Sequence, residues 1–300
     1  MKIQNWKGIV NEDVLDVQKM DGGFANDVWQ VRTVQGEYVV KVIREPPSPD
    51  RPFWDGLQFL FGMNVFSHIE QRREMGDFIR KHTFLKVPDV HRIDTSRKLI
   101  DAPYVVIDRM PGDPLDLQQC DCDTSHLAEA LGRHLGSLHS VSFAYWGTYP
   151  SGPRYAPADW PARCAETLRY LAERYFQDEP AVQRDLPGFV QQAAGLPGPE
   201  RLALVLPDLR PDQFLQVDHE LTALVDVEAH VIGPSELDLI LMEYVLKPED
   251  ASAFKSGYQA YLTLPDLKAL RPLYRYLYFL ITALGWKDYQ AWMEHPAILE

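Results

Sequence analysis

Cysteine is scarce in this 300-residue chain: Cys120, Cys122 and Cys164 are the whole set. Three thiols do not make a disulfide framework, and Cys-x-Cys without a neighbouring Cys or His set does not make a zinc site. Free thiols are expected. Long apolar runs are also missing. No stretch approaches the ~20 residues of a spanning helix. The nearest, 273–286, is interrupted by Arg275 and several tyrosines, and reads as a buried or half-buried helix. Basic residues are outnumbered, with 30 Lys and Arg against 43 Asp and Glu and a formal net charge of −13. Phosphate backbones and anionic bilayers demand clustered cations, so neither a nucleic-acid nor a membrane partner is expected. No secretory leader is legible in the first residues. A cytoplasmic protein, monomer or homodimer, is the expectation.

What is present is a change of period along the chain. Strand-like alternation marks residues 14–20, 28–34 and 38–43, with Gln35-Gly36 as a tight turn. Residues 45–55, rich in Pro and charge, read as a loop, and 62–81 as a helix. Two more strands are expected at 87–90 and 103–108. Met110-Pro-Gly-Asp-Pro breaks all periodicity and reads as a hinge. Beyond it helices dominate. Leu127, Leu131, Leu135 and Leu138 share one face of a helix capped from among Asp123, Thr124 and Ser125, and 163–176 is a second helix. The segment 204–228 is a strand-and-loop island, and the chain is helical after Pro234. The class is α+β: a small β-rich lobe over 1–110, then a larger helical lobe over 111–300.

Chemistry concentrates in the island. Asp208 stands in Leu206-Pro-Asp-Leu-Arg-Pro-Asp-Gln213, and Asp226 in Leu224-Val-Asp-Val-Glu228. Phosphoryl transfer needs two such carboxylates, one to receive the proton of the attacking hydroxyl and one to hold Mg²⁺ on nucleotide phosphates. Gln213 follows Asp208 at the spacing of the amide ligand in kinase catalytic loops. Upstream, Asp21-Gly22-Gly23-Phe-Ala-Asn26 joins two strands where backbone can approach a phosphate. Lys41 sits on a strand with two apolar faces, where a lysine is costly without an anion. Glu74, with Glu70 as competitor, is the expected helix partner for Lys41. Backbone groups of Asp108 to Met110 are placed to meet an adenine edge. Asp226 and Glu228 share a strand face, where two carboxylates call for a cation between them.

In this order the motifs resemble the aminoglycoside phosphotransferase family and its choline-kinase-like relatives. Gly22-Gly-Phe-Ala-Asn26 is similar to the nucleotide loop, Val39-Val-Lys41 to the phosphate-lysine strand, and Val105 to Leu115 to the hinge. The helix ending Leu-His139-Ser-Val is similar to the long central helix. Asp208 to Gln213 is similar to the catalytic loop. Leu224 to Glu228 and Gly233 to Asp238 are similar to the metal-binding segment and the helix after it. The resemblance covers most of the chain. It implies a bilobal protein-kinase-like fold, ATP or GTP with Mg²⁺, and transfer of the γ-phosphate to a small-molecule hydroxyl. Asp208 would be the base and Gln213 with Asp226 the metal ligands. Gly22, Gly23, Asn26, Lys41, Glu74, Asp108 and Met110 would hold the nucleotide.

Two departures matter. The family shows His-Gly-Asp where this chain has Leu206-Pro207-Asp208, and Pro207 cannot adopt a positive φ. Gln213 replaces an Asn and adds a methylene. Two functions are therefore weighed: an active small-molecule kinase, favoured because Lys41, Asp208 and Asp226 are all present, and an attenuated nucleotide-binding or regulatory protein on the same scaffold. The acidic balance favours an amine-bearing acceptor. Asp212, Glu228, Glu236 and Glu243 are candidates to attract it, and Trp146, Tyr258, Tyr274, Tyr278 and Trp286 to box an ammonium group. His139 reads as structural.

Overall fold

A computed structural model describes residues 3, 5–20, 26–44, 52–64, 69–118 and 123–300, and the elements below are those of the described residues. Gly22, Gly23, Cys120 and Cys122 lie outside them. After a short helix α1 (Trp6–Val10), strands β1 (Val14–Met20), β2 (Asn26–Thr33) and β3 (Glu37–Ile43) form an antiparallel meander. Strands β4 (Val90–Asp94) and β5 (Tyr104–Asp108) complete a sheet in the order β1-β2-β3-β5-β4. The strand expected at 87–90 begins only at Val90, because Pro88 has no N–H to give to a ladder.

Alternation on β3 sorts its side chains onto two faces. Val40 and Val42 join Val31, Tyr104 and Val106 beneath α1. Val39 and Ile43 join Val105, Ile107 and Ile69 on the opposite face, the one to which Lys41 also points. Both faces are covered, which is why the sheet tolerates so few polar residues there.

The expected helix at 62–81 is corrected. Helix α2 (Pro52–Phe61) starts inside the segment read as loop, with Pro at its first position, where a missing N–H costs nothing. The chain is not helical at 62–64, and α3 (Arg72–His82) begins after a 3-10 turn at Ile69–Gln71. Leu57, Leu60 and Phe61 of α2 enter the large core with the helices Trp160–Tyr175 and Arg271–Ile281, so the amino-terminal half of the chain supplies part of the helical half.

That half comprises α4 (Ser125–Ser140), α5 (Trp160–Tyr175), α6 (Pro180–Ala194), α7 (Glu236–Val245), α8 (Ala251–Gln259), α9 (Arg271–Ile281) and α10 (Tyr289–Met293). Short strands thread between them: β6 (Asp113–Pro114), β7 (Trp146–Gly147), β8 (Arg154–Tyr155), β9 (Leu202–Val205), β10 (Phe214–Val217), β11 (Glu220–Leu224) and β12 (Val231–Pro234). They make two small sheets, β11-β10-β6 and β8-β7-β12-β9. Helices α4 and α8 approach so closely that a Cβ on Gly132 would lie 2.1 Å from Phe254 O, and one on Gly257 2.0 Å from Glu129 O. Glu243 is fully buried on α7 between Arg275 Nη2 at 2.7 Å and Arg271 Nε at 3.0 Å, and it accepts the Ile298 and Leu299 amides at 3.1 Å. It ties the carboxyl-terminal segment to the core and is not available to an acceptor. Trp146, Tyr258, Tyr274 and Tyr278 are likewise core side chains, at most 2 % exposed. Cys164 is buried and unpaired. No helix among the described residues is long and apolar enough to cross a membrane.

Candidate active site

Three tethers hold the loop at 206–213. Strand β9 is wholly buried and pairs with β12 in the register Val205↔Val231. Where β9 ends, the Leu206 amide donates to Asp238 Oδ1 at 2.8 Å, from the first turn of α7. Asp238 is 1 % exposed, and its other oxygen lies 3.3 Å from His139 Nε2, whose Nδ1 meets Tyr258 OH at 3.1 Å. His139 is thus structural, as expected. The third tether is Val225 N–H to Gln213 O at 2.9 Å. None of residues 206–213 has a positive φ, so Pro207 fits the turn. The loop does not need the glycine that the resemblance led one to expect.

Asp208 emerges from this loop partly buried, at the junction of two cavities. Burial drives its pKa up. Arg210 opposes the rise, Asp226, Asp212 and Glu228 add to it, and the carboxyl is pushed up to about 7. Gln213 is 4 % exposed, and its Nε2 donates to Asp208 Oδ2 at 3.2 Å. Its Oε1 is buried without a hydrogen-bond partner. A desolvated, unpaired amide oxygen costs about 1–3 kcal/mol, which a hard cation would remove. Asp226 stands across the same cleft with its side chain 48 % exposed. Beyond β11, residues 225–227 are not in a strand as expected, and Glu228 is in a turn. One amide oxygen and one carboxylate suit Mg²⁺, which keeps waters and takes the rest of its ligands from phosphates. Among the described residues no cluster of three or more His, Cys, Asp or Glu could hold a metal.

Lys41, 7 % exposed, projects into this cleft from β3. Its Nζ contacts Asp226 Oδ1 and lies 3.0 Å from Glu228 Oε1. Burial alone would lower the lysine pKa, but the two carboxylates outweigh it and hold it raised. Glu74 is not its partner. It is on α3 as expected but exposed, and its field falls on Tyr149. The helix instead contributes Arg72, 5 % exposed, whose Nη2 lies 3.3 Å from Glu228 Oε1. Glu228 therefore bridges sheet and helix between two cations. Burial would raise its pKa, but Arg72 and Lys41 hold it at about 2. Sequence reasoning offered Glu228 both as a neighbour of Asp226 about a cation and as an acceptor residue; the structure places it here, with the Lys41 ammonium against both acids. Arg72 was missed, and nothing in Arg72-Arg-Glu marks it out. Asp238 had a legible signal, a charge inside the apolar run Leu237 to Leu241.

The Glu228 bridge makes a stability prediction. Glu228→Gln leaves Arg72 and Lys41 buried with one counter-charge fewer, a loss of about 3–5 kcal/mol. Adding Arg72→Met removes the stranded guanidinium and restores a large part of that loss, as urea unfolding of both variants would measure. Because the folded-state pKa of Glu228 is depressed, the bridge stabilises above the ordinary carboxylate pKa of 4.5, and this is lost as pH falls towards about 2.

The cleft around Lys41 encloses about 420 Å³. Asn26 lines it from the start of β2, 8 % exposed, with Oδ1 buried and unpartnered. Val28, Val39, Ile107 and Leu215 form apolar walls of the cleft. At the hinge, Asp108 and Arg109 give their amides to Asp89 O and Glu37 O, at 3.1 Å each, so those two amides are not available to an adenine edge; among the described residues the Met110 amide is not so engaged. The Asp108 carboxylate accepts from His91 Nε2 at 2.6 Å and Asp89 N at 2.9 Å. Gly112, at φ +115°, is fixed by contact: a Cβ there would lie 2.6 Å from Gln216 O of β10. Asp212 is paired with Arg210, Nε to Oδ1 at 3.0 Å.

Comparison with solved structures gives the same fold at low identity. Macrolide 2'-phosphotransferase MphH from Brachybacterium faecium is 19 % identical, with TM-score 0.61 over 98 % of both chains. The GDP complex of aminoglycoside 2'-phosphotransferase-IIIa is 15 % identical, with TM-score 0.63 over 96 % of this chain and 92 % of that one. Choline kinase LicA from Streptococcus pneumoniae is 16 % identical, with TM-score 0.61 and the same coverage. No curated protein matches. The model of one family, described as the phosphotransferase enzyme family, matches residues 16–273. With its antiparallel amino-terminal sheet, its helical second lobe and a match across most of its length, this chain belongs to the phosphotransferase enzyme family.

Proposed function

We propose that the chain transfers the γ-phosphate of ATP or GTP to a hydroxyl of a small, amine-bearing molecule. One observation carries the reading: Lys41, Asp226, Gln213 and Asp208 border one cleft, and a second cavity opens at Asp208. In this reading Asp208 accepts the proton of the acceptor hydroxyl, its raised pKa suiting a base that works near neutrality. Lys41 exchanges part of its contact with Asp226 for phosphate oxygens, while Glu228 and Arg72 keep it in place. Asn26 borders the phosphates, and the Met110 amide meets the base. Asp226 and Gln213 would hold Mg²⁺, which supplies charge neutralisation to the phosphates when bound. Asp212 keeps Arg210 turned towards the loop and borders the acceptor.

The test is ADP or GDP release against a panel of hydroxyl compounds, with and without Mg²⁺. Expected is acceptor-stimulated, Mg²⁺-dependent turnover on the order of 1–100 s⁻¹. Tight nucleotide binding with no turnover on any acceptor would favour the attenuated, regulatory reading instead.

A further inference from the structure

The second cavity, about 710 Å³, is larger than the nucleotide cleft and shares with it Trp54, Pro114, Asp208, Arg210 and Asp212. An acceptor lying there would border Asp208 without touching Lys41, which lines only the other cleft. Its walls are mostly apolar: Phe53 and Trp54 from α2, Leu115 after the hinge, Val245 at the end of α7, and Leu284 and Trp286 after α9. Two of the polar groups in the walls are already committed. Tyr244 OH donates to Trp292 O at 2.7 Å, and the Gln118 amide donates to Val245 O at 3.1 Å. Thr282 and Leu284 border the cavity in the left-handed region, at φ 60° and 55°, an uncommon conformation for such residues. A polyol or a polyamine would lose water over most of its surface against these walls and regain few hydrogen bonds. The charged side chains in the lining are three acids, Asp116, Asp208 and Asp212, and one guanidinium, Arg210.

Resting on the phosphotransferase reading of Asp208, we infer that the acceptor is an alcohol on a bulky, largely apolar body carrying one cationic amine. It is not a densely hydroxylated polyamine. The apolar body lies against the apolar walls. The amine lies with the acids, and the hydroxyl lies beside Asp208. Transfer forms an O–P bond to the acceptor oxygen, breaks the bond from the γ-phosphorus to the β–γ bridging oxygen, and leaves the hydroxyl proton on Asp208.

Isothermal titration without nucleotide tests this with three probes: 1-(biphenyl-4-yl)-2-(dimethylamino)ethanol, its neutral analogue 1-(biphenyl-4-yl)ethanol, and 2-deoxystreptamine. Expected is an order of affinity biphenyl amine, neutral biphenyl, deoxystreptamine, with the first and last at least about 100-fold apart. Trp286→Ala weakens the biphenyl amine about tenfold and leaves ATP binding, titrated separately, unchanged. Leu284→Asp serves as a second variant if the first does not fold. Deoxystreptamine binding as tightly as the biphenyl amine, no binding of either biphenyl probe, or affinity indifferent to both variants would overturn the inference. Failure of the phosphotransferase reading looks different: the apolar probes bind and nucleotide does not.

Discussion

Asp208→Asn lowers kcat about 10²–10⁴-fold, the range for loss of a positioned general base, while nucleotide affinity stays close to that of the parent. The asparagine keeps the shape of the side chain and one acceptor for the Gln213 amide, so the loop stays on its tethers to Asp238 and Val225. What goes is the capacity to take a proton. The profile of kcat/KM against pH in the parent rises with a limb near neutrality, since the carboxyl is pushed up to about 7 in the free protein; the variant has no such limb.

The same substitution stabilises the fold. In the folded chain Asp208 holds its proton to about 7, whereas the ordinary carboxyl releases it at 3.8. The stability tied to that proton is therefore complete below pH ~4 and lost as pH rises through ~7. Asparagine has nothing to lose, so the variant gains on the parent as pH rises, by on the order of 2–4 kcal/mol at pH ~8. Urea unfolding at two pH values measures it. Equal stability of the two proteins at every pH would mean that Asp208 is solvated and not poised as a base.

Several parts of this site were legible in the sequence because their signals are local. Lys41 interrupts an apolar alternation, Asp208 and Gln213 keep a loop spacing, and the breaks at Met110 to Pro114 mark the hinge. The partner of Lys41 was not legible, because the choice is made across 185 and 187 residues of sequence by how the loop after β11 meets β3. Periodicity reports which face a helix buries, and α3 was read as presenting a glutamate where it presents Arg72. Helix α2 was hidden by the prolines and charges before it, although Phe53, Leu57, Leu60 and Phe61 are spaced for a helix. Helix α6 was not anticipated at all; Pro187 inside it disguises the pattern. Most of the aromatic residues offered as an ammonium box went to the core, where bulk decides. Trp286 was the exception, and it lines the second cavity.

The central claim is that Asp226 and Gln213 are the protein's contribution to a metal held on nucleotide phosphates opposite Lys41. Asp226→Ala removes the only carboxylate of that pair and also one of the two acids on Lys41. Binding that needs Mg²⁺ should fall by at least about 100-fold, since a buried lysine and an amide oxygen cannot hold the ion without it. Isothermal titration of ATP and GTP, with and without Mg²⁺, on the parent and on Asp226→Ala measures this directly. The account predicts Mg²⁺-dependent binding of micromolar order in the parent and its loss in the variant. Binding in the variant equal to the parent, or no nucleotide binding by the parent with any metal, would contradict it.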